Sequence, residues 1–248
     1  DAFKLEAWDF AYYSRKLKLS LFDIDSEMLR PYFELSKVSG GVFGLANELY
    51  GITFSVNKDA PVYAEDVIAY NVNDKDGSFL GTLYMDYFPR EGKQGGAGTP
   101  SHSPQYKGGN KNVRPTVGVV MNLTKPTAER PSLLTLGEVT TFLHEFGHAL
   151  HGIFANTTYR SLSGTSVYWD FVELPSQFME NFAIEKEFLS KFAVHYKTGE
   201  ALPEELIGKI VKSRNYNVAY ATIRQVSFGL IDMALHSVTK PLCGNLMK

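Results

Sequence analysis

The sequence of 248 residues predicts an α+β fold that is mainly helical and contains a small antiparallel β-sheet. Two observations lead to this class. Helical spacing of apolar residues dominates residues 1–50 and 132–238, whereas runs rich in β-branched and aromatic residues fall within residues 51–123. Hydrophobic residues make up 44% of the chain, so it can bury a sizeable core, either as one large domain or as part of a bigger one.

The first 50 residues are predicted to be helical. Residues 3–18 contain several aromatic side chains and neither Gly nor Pro, which indicates one helix. Residues 23–50 hold two short helical patterns. These are interrupted by a proline and three glycines, namely Pro31, Gly40, Gly41 and Gly44.

Four runs of residues are predicted to be strands. They are GITFSVN at 51–57, VIAYNVN at 67–73, SFLGTLYMDYF at 78–88 and TVGVVMNL at 116–123. The turn sequence DKDG at 74–77 joins the second run to the third as a hairpin. We expect the fourth run to pair with this hairpin and complete an antiparallel sheet.

The segment at residues 91–114 is predicted to be a long, mobile, Gly-rich loop. It contains two prolines and almost no apolar residue. Such a composition supplies few side chains that a regular element could bury.

A helix with clear signals at both ends is predicted from Thr135 to Gly152. Thr135 followed three residues later by Glu138 matches a capping box, and apolar residues then recur at helical spacing until Gly152 ends the element. This helix carries LHEFGHALHG at 143–152, with three of the six histidines in the chain.

The spacing of these histidines indicates a zinc site. His144 and His148 lie one turn apart on the same face, so both imidazoles can reach one ion. Glu145 follows the first histidine and is placed to accept a proton from a water on the metal without binding the metal itself. The alternative is an ordinary helix that is rich in histidine.

A catalytic zinc needs a third protein ligand and an open position for water. The extended pattern HExxHxxGxxH is excluded, because the chain has His151 and Phe154 where that pattern needs glycine and histidine. His151 lies near the face of the other two histidines, but three ligands on one straight helix would be stretched along its axis. We therefore expect His151 to be a neighbour of the site.

The other source of a third ligand is DFVELPSQFMENF at 170–182. Asp170 can cap a helix start here, and Glu173 and Glu180 are seven residues apart on one face. Glu173 could bind the metal while Glu180 orients a histidine N–H. Spacing alone, however, favours the alternative that both glutamates are solvated.

Composition excludes several kinds of partner. Lys plus Arg at 25 against Asp plus Glu at 27 leave a net charge of -2, which offers no basic surface to a nucleic acid. The single cysteine, Cys243, excludes an internal disulfide framework and a multi-cysteine zinc cluster. No apolar run approaches the roughly 20 residues needed to cross a bilayer. Neither a nucleic acid nor a membrane is therefore expected as a partner.

Several long motifs resemble one family of zinc peptidases. They are WDFAYYSRKL at 8–17, GTLYMDYFPREGKQGGAG at 81–98, RPTVGVVMNL at 114–123, PSLLTLGEVTTFLHEFGHALHG at 131–152 and LSGTSVYWDFVELPSQFMENF at 162–182. On these motifs the chain is identified as a member of the thimet oligopeptidase, oligopeptidase A and peptidyl-dipeptidase family, and it most resembles a bacterial peptidyl-dipeptidase. The resemblance covers nearly all of residues 3–238.

The resemblance implies a zincin-like catalytic core built on the HExxH helix. It implies that His144, His148 and Glu173 bind one Zn²⁺ and that Glu145 is the general base. The implied activity is hydrolysis of short oligopeptides in the cytoplasm, either by internal cleavage or by release of C-terminal dipeptides. Short peptides are therefore the expected partners.

Two substrate contacts follow by analogy with the same family. The strand at 116–123, which includes Asn122, could offer backbone groups to an extended peptide, and the SGTS loop with Gly164 and Thr165 could move over it. In the alternative, the strand belongs to the core and the loop is a connector.

The end of the chain departs from the family pattern. Family members continue into a Gly-rich stretch whose histidine and tyrosines bind substrate and the oxyanion, whereas this chain ends at LCGNLMK. We therefore expect residues 1–248 to be part of one catalytic domain, incomplete at both ends, with Tyr216, Tyr220 and His236 as core or surface groups. The alternative function is a zinc-binding fragment with little activity, because loss of an oxyanion donor lowers the rate about 10²- to 10³-fold.

Overall fold

The computed structural model describes residues 3–240, which fall into two compact units. One unit is residues 24–208, and the other combines the described parts of residues 1–23 and 209–248. Cys243 lies outside the described residues.

The secondary structure confirms the α+β class. The helices are α1 (Phe10–Phe22), α2 (Ser26–Leu29), α3 (Leu35–Tyr50), α4 (Leu136–Ile153), α5 (Trp169–Val172), α6 (Leu174–Glu180), α7 (Lys186–Leu189), α8 (Glu204–Ser213) and α9 (Val218–His236). The strands are β1 (Thr53–Val56), β2 (Val67–Asn73), β3 (Phe79–Asp86), β4 (Ser101–Ser103), β5 (Tyr106–Gly108), β6 (Lys111–Val113) and β7 (Thr116–Val120). None of the helices within residues 3–240 has both the length and the apolar character needed to span a membrane.

The larger sheet has five strands in the order β1-β2-β3-β7-β4, and it is mixed rather than antiparallel. β3 and β7 run parallel, with Thr82 opposite Thr116 and Asp86 opposite Val120, while the other neighbours are antiparallel. A tight hairpin would force antiparallel pairing, but residues 87–115 connect these two strands. This long connection returns the chain in its original direction, which corrects the prediction of an antiparallel sheet.

Residues 91–114 contain three strands, so the prediction of a loop without regular structure is wrong. β4 pairs with β7, and β5 and β6 form a hairpin. The turn of that hairpin is Gly109–Asn110, where glycine tolerates the φ of 59°. Gln105 is fully buried and joins the hairpin to Thr157, whose backbone N–H donates to Gln105 Oε1 at 2.7 Å. Hydrogen bonds therefore replace the apolar packing that this segment lacks.

The helices before the sheet also differ from the prediction. The first α-helix begins at Phe10 rather than at residue 3, after a 3-10 turn at Ala7–Asp9. α3 is one helix of 16 residues that continues through all three glycines. At Gly41 a Cβ atom would lie 2.4 Å from Cδ1 of Phe192, so glycine here permits close packing rather than ending the helix.

The core of the 24–208 unit lies around α4. This helix packs against β3 and β7 on one side and against α6 on the other. Leu83, Val119, Phe142 and Phe146 are completely buried where α4 meets the sheet. Because α4 is covered on both sides, its position is fixed by packing along its whole length.

The unit formed by the terminal segments contains α1 and α9. The Tyr216 hydroxyl donates to the Ser14 carbonyl oxygen at 2.7 Å, and Asn217 Nδ2 lies 2.7 Å from Ser14 Oγ. The rings of Phe10 and Tyr220 stack with centroids 4.1 Å apart. Tyr220 and His236 are both exposed.

Candidate metal centre

α4 holds the two histidines of the HExxH motif on a helix with well-satisfied ends. The predicted capping box is present, with Glu138 N donating to Thr135 Oγ1 at 3.1 Å and Thr135 N donating to Glu138 Oε2 at 2.7 Å. At the other end, Arg114 donates to the carbonyl oxygens of Ile153 at 2.7 Å and of Ala155 at 3.1 Å. These bonds satisfy backbone groups at the helix ends that have no hydrogen-bond partner within the helix.

Glu173 reaches the two histidines from the next helical segment. Its Oε2 lies 3.2 Å from Nε2 of His144 and 3.1 Å from Nε2 of His148. The candidate ligand atoms of the three residues all lie within 4.8 Å of one another. Zinc bonds of about 2.0–2.1 Å in tetrahedral geometry put neighbouring ligand atoms roughly 3.3 Å apart. The two nitrogen–oxygen distances therefore match those expected between neighbouring ligand atoms of a zinc ion.

Gly147 allows this convergence. A Cβ atom at Gly147 would lie 2.6 Å from both the carbonyl oxygen of Pro175 and Cα of Ser176, so α6 crosses α4 in direct backbone contact. Glu173 is the residue immediately before α6. The missing side chain at Gly147 thus sets the distance between Glu173 and the histidines.

Two hydrogen bonds orient two of the three candidate ligands, Glu173 and His144. Ser176, which is fully buried, donates from Oγ to Glu173 Oε2 at 2.7 Å. This bond lowers the pKa of Glu173, and the nearby histidines lower it further against the opposing effect of burial. His144 Nδ1 lies 2.7 Å from Glu180 Oε1, and a proton held between them leaves His144 Nε2 free to bind a metal.

Glu145 is a buried carboxylate next to this group, with 6% of its surface exposed. Thr99 Oγ1 lies 2.7 Å from Glu145 Oε2 and 2.9 Å from the Glu145 backbone oxygen. Burial of a carboxylate is costly unless it is hydrogen-bonded or paired, and the Thr99 hydroxyl supplies such a hydrogen bond to Glu145.

His151 is close to the candidate ligands but outside the group of three. Its ring contacts Phe171, with centroids 6.0 Å apart, and its Nδ1 is buried without a hydrogen-bond partner among the described residues. Burial lowers the pKa of His151, and His148 lowers it further. His151 also lines an apolar cavity of about 470 Å³ beside α4.

Asp170 does not cap a helix, which corrects that prediction. α5 begins at Trp169, its N-cap is Tyr168, and Asp170 lies within its first turn. The helical stretch expected after Asp170 is divided into α5 and α6, with the break at Glu173. Pro175 explains the break, because it has no N–H to donate to the carbonyl four residues earlier.

The three residues predicted to bind substrate have structural contacts. Asn122 Nδ2 donates to the carbonyl oxygens of Gln94 and Gly96, both at 2.8 Å, and so holds the segment that leads to β4. Gly164 has a φ of 57° and packs against Gly152, to whose Cα an added Cβ would come within 3.2 Å. Thr165 lines a cavity of about 10 Å³ that also touches His148 and Thr99. Their roles toward substrate stay predictions.

Sequence reasoning missed Ser176 and Thr99. Ser176 could have been found, because a residue three positions after Glu173 lies on the same helical face. Thr99 carried no such signal, because it follows the Gly-rich stretch and approaches Glu145 only through the sheet.

One protein-family model and several known proteins match nearly the whole chain. The model of Peptidase family M3 matches residues 1–242. Oligopeptidase A of Escherichia coli (strain K12) is 40% identical over 240 residues, which is 96% of this chain and 35% of that protein. Dipeptidyl carboxypeptidase of the same organism is 40% identical over 235 residues, covering 94% of this chain and 34% of that protein. Saccharolysin of Saccharomyces cerevisiae (strain ATCC 204508 / S288c) is 36% identical over 239 residues, covering 93% of this chain and 34% of that protein. The chain thus spans about a third of the length of these relatives.

Proposed function

Because the chain belongs to Peptidase family M3, we propose that it hydrolyses peptide bonds in short oligopeptides with the help of one zinc ion. The observation that carries this proposal is the convergence of His144, His148 and Glu173 beside the buried carboxylate of Glu145. A zinc-binding group next to a carboxylate that does not bind the metal is an arrangement that can hydrolyse an amide.

The proposed metal ligands are Nε2 of both histidines and Oε2 of Glu173. When bound, the zinc would lower the pKa of a water molecule and polarise the carbonyl of the scissile peptide bond. Glu180 would keep the proton of His144 on Nδ1, and Ser176 would hold the Glu173 carboxylate in place. His151 would remain a neighbour that helps to exclude water.

The Glu145 carboxylate is the proposed general base. It takes a proton from the attacking water, whose oxygen forms the new bond to the peptide carbonyl carbon. Glu145 then returns the proton to the leaving amine nitrogen as the C–N bond breaks. One carboxylate thus serves as base and then as acid, and it is regenerated in its ionised form.

An extended peptide fits the outer edge of the sheet better than the strand at 116–123, which the family analogy offered. β7 is flanked on both sides, by β3 and by β4, so its backbone groups are already paired. β4 is the outermost strand on that side, and the residues before it lead directly past Glu145 through Thr99. Peptides add to exposed strand edges through main-chain hydrogen bonds.

The relatives bear the names of two kinds of peptidase, oligopeptidase A and dipeptidyl carboxypeptidase, so both internal cleavage and release of C-terminal dipeptides are compatible with the proposal. Other relatives are named probable cytosolic oligopeptidase A and organellar oligopeptidase A, both from Arabidopsis thaliana. A cytoplasmic location stays a prediction.

The second candidate function is zinc binding with little or no turnover by this chain alone. It is favoured by the coverage of only about a third of each relative, because residues elsewhere in such a protein could complete the substrate site. In that case residues 1–248 would be part of one larger catalytic domain.

The test is a fluorogenic short-peptide assay on this chain and on the full-length product of its gene, with and without a chelator. We expect chelator-sensitive cleavage and one equivalent of bound zinc. In the Glu145→Gln variant we expect zinc binding to persist while cleavage falls at least about 10²-fold, since general-base catalysis contributes 10²–10⁴-fold. Full activity of Glu145→Gln, or bound zinc without cleavage by either protein, would refute the enzymatic proposal.

A further inference from the structure

We propose that Thr99 is a positioning residue for the Glu145 carboxylate; this inference rests on the function proposed above. Thr99 Oγ1 lies 2.7 Å from Glu145 Oε2, although the two residues are 46 positions apart in the chain. Thr99 itself contacts neither of the candidate histidine ligands by hydrogen bonding, so its influence on the reaction would pass through Glu145.

The backbone around Thr99 is fixed on both sides. Gly98 exchanges two backbone hydrogen bonds with Val120, each 2.9 Å long. On the other side of Thr99, the Pro100 carbonyl oxygen accepts from Gly118 N at 2.9 Å. The Thr99 hydroxyl is therefore presented from a segment that is hydrogen-bonded to β7 on both sides of Thr99 rather than from a free loop, and groups on such supports hold their partners accurately.

Gly118 makes this close pairing possible. A Cβ atom at Gly118 would lie 3.3 Å from Cγ of Pro100 and 2.7 Å from Nε2 of His102. The glycine thus lets the segment at 98–103 lie directly on β7, which sets the depth at which Thr99 meets α4.

The hydrogen bond selects one orientation of Glu145. A threonine hydroxyl has one proton, and the ionised carboxylate is a stronger acceptor than the backbone oxygen 2.9 Å away. Donation to Oε2 fixes that oxygen and leaves Oε1 to take the proton of the attacking water. A glutamate has several side-chain rotamers, so without this bond the carboxylate would populate other orientations in its buried site.

The geometry distinguishes positioning from general structural support. α4 carries His144 and His148, Glu173 precedes α6, and the hydrogen bonds that orient His144 and Glu173 do not involve Thr99. Loss of the hydroxyl should therefore leave zinc binding intact and act on the rate of the chemical step.

The experiment compares Thr99→Val with Thr99→Ser. Valine keeps the shape of threonine and removes the hydroxyl, whereas serine retains it. For Thr99→Val we expect kcat to fall about 10- to 10²-fold, in the range seen when a catalytic group is misplaced by about 1 Å, with KM and zinc content unchanged. For Thr99→Ser we expect kcat within about threefold of the wild type. Thr53→Val, the same change on the exposed β1, is the matched control.

Two further measurements distinguish a failure of the proposed function from a failure of the role given to Thr99. In a Glu145→Gln background, Thr99→Val should cause no further loss, because residues that act through one another are not additive. A crystal structure of Thr99→Val should show the Glu145 carboxylate in a changed orientation. If the wild type binds zinc but cleaves nothing, the proposed function fails, and that crystal structure still decides the role of Thr99. Wild-type kcat in Thr99→Val, an equal loss in both Thr99 variants, or an unmoved Glu145 side chain would overturn the inference.

Discussion

At the scale of single residues, Asp86 and Lys93 form an ion pair that is almost completely shielded from water. Asp86 Oδ1 lies 2.8 Å from Lys93 Nζ and 2.8 Å from Arg90, and the side chains of Asp86 and Lys93 are 1% and 4% exposed. Burial raises the pKa of Asp86, but the hydrogen bonds from Arg90 and Lys93 outweigh it and hold the pKa below its usual value. This cluster ties β3 to the segment that carries Thr99 toward Glu145.

We predict that Asp86→Ala destabilises the protein by about 3–5 kcal/mol, because it leaves the Lys93 ammonium buried without its carboxylate. The measurement is urea-induced unfolding at neutral pH. Because the folded pKa of Asp86 is lowered, its contribution is present above the pKa of the unfolded state and is lost as the pH falls through the folded pKa. The wild type and Asp86→Ala should therefore approach the same stability in acid.

Asp66→Ala is the matched control for this prediction. Asp66 pairs with Lys125 at 2.7 Å, but their side chains are 46% and 50% exposed. Exposed pairs contribute roughly 0–1 kcal/mol, so this variant should unfold almost like the wild type. Equal losses in the two variants would show that burial of the Asp86 pair is not what stabilises the fold.

Also at the residue scale, the sequence was informative about the metal site only where neighbours in the chain are neighbours in space. His144, Glu145 and His148 belong to one helix, so their relation follows from 3.6 residues per turn. Glu173 required the family resemblance, because solvated glutamates have the same spacing. Thr99 could not be predicted, since its approach depends on the pairing of Gly98 and Pro100 with β7.

At the scale of elements, the crossing of α4 and α6 determines whether the three candidate ligands meet. We predict that Gly147→Ala lowers zinc affinity about 10- to 100-fold, which is the usual effect of losing a group that orients a metal ligand. The added Cβ would lie 2.6 Å from the backbone of Pro175 and Ser176, so α6 must move away and carry Glu173 with it. Competition with a chromophoric chelator measures the affinity.

Gly137→Ala tests the same substitution on the same helix without the crossing. An added Cβ at Gly137 would meet only Thr135 Oγ1 at 3.8 Å, an ordinary contact, and alanine favours helix by up to about 1 kcal/mol. We expect wild-type zinc affinity in this control. A folded Gly147→Ala variant that binds zinc as tightly as Gly137→Ala would contradict the role given to the helix crossing.

Some elements could be predicted from their own residues, whereas other features of the fold depend on residues far away in the chain. α4 and β2 have signals within their own residues, a capping box in one and a run bounded by a turn in the other, and both were predicted within a residue or two. The parallel pairing of β3 with β7 depends on a connection of 29 residues from 87 to 115, and nothing in the strands themselves encodes its direction. The close packing at Gly41 in α3 likewise involves Phe192, which is far away in sequence.

At the scale of the whole molecule, the described residues that would hold zinc all belong to the unit of residues 24–208. His144 and His148 lie on α4, whereas Glu173 precedes α6, and residues 154–172 separate the two sources of ligands in the chain. A bound ion would therefore fix this connection at both of its ends and should stabilise the folded unit against unfolding.

We predict that adding zinc to chelator-treated protein raises its thermal midpoint. At free zinc 100 times the Kd, the gain is about 2.7 kcal/mol, which corresponds to a shift of roughly 5–10 °C for a domain of this size. Calorimetry on wild type, His148→Ala and His151→Ala separates the candidates for the metal ligands. The shift should persist in His151→Ala, because Glu173 is the proposed third ligand, and disappear in His148→Ala. The reverse result would put His151 in the place of His148 and would contradict the group formed by His144, His148 and Glu173.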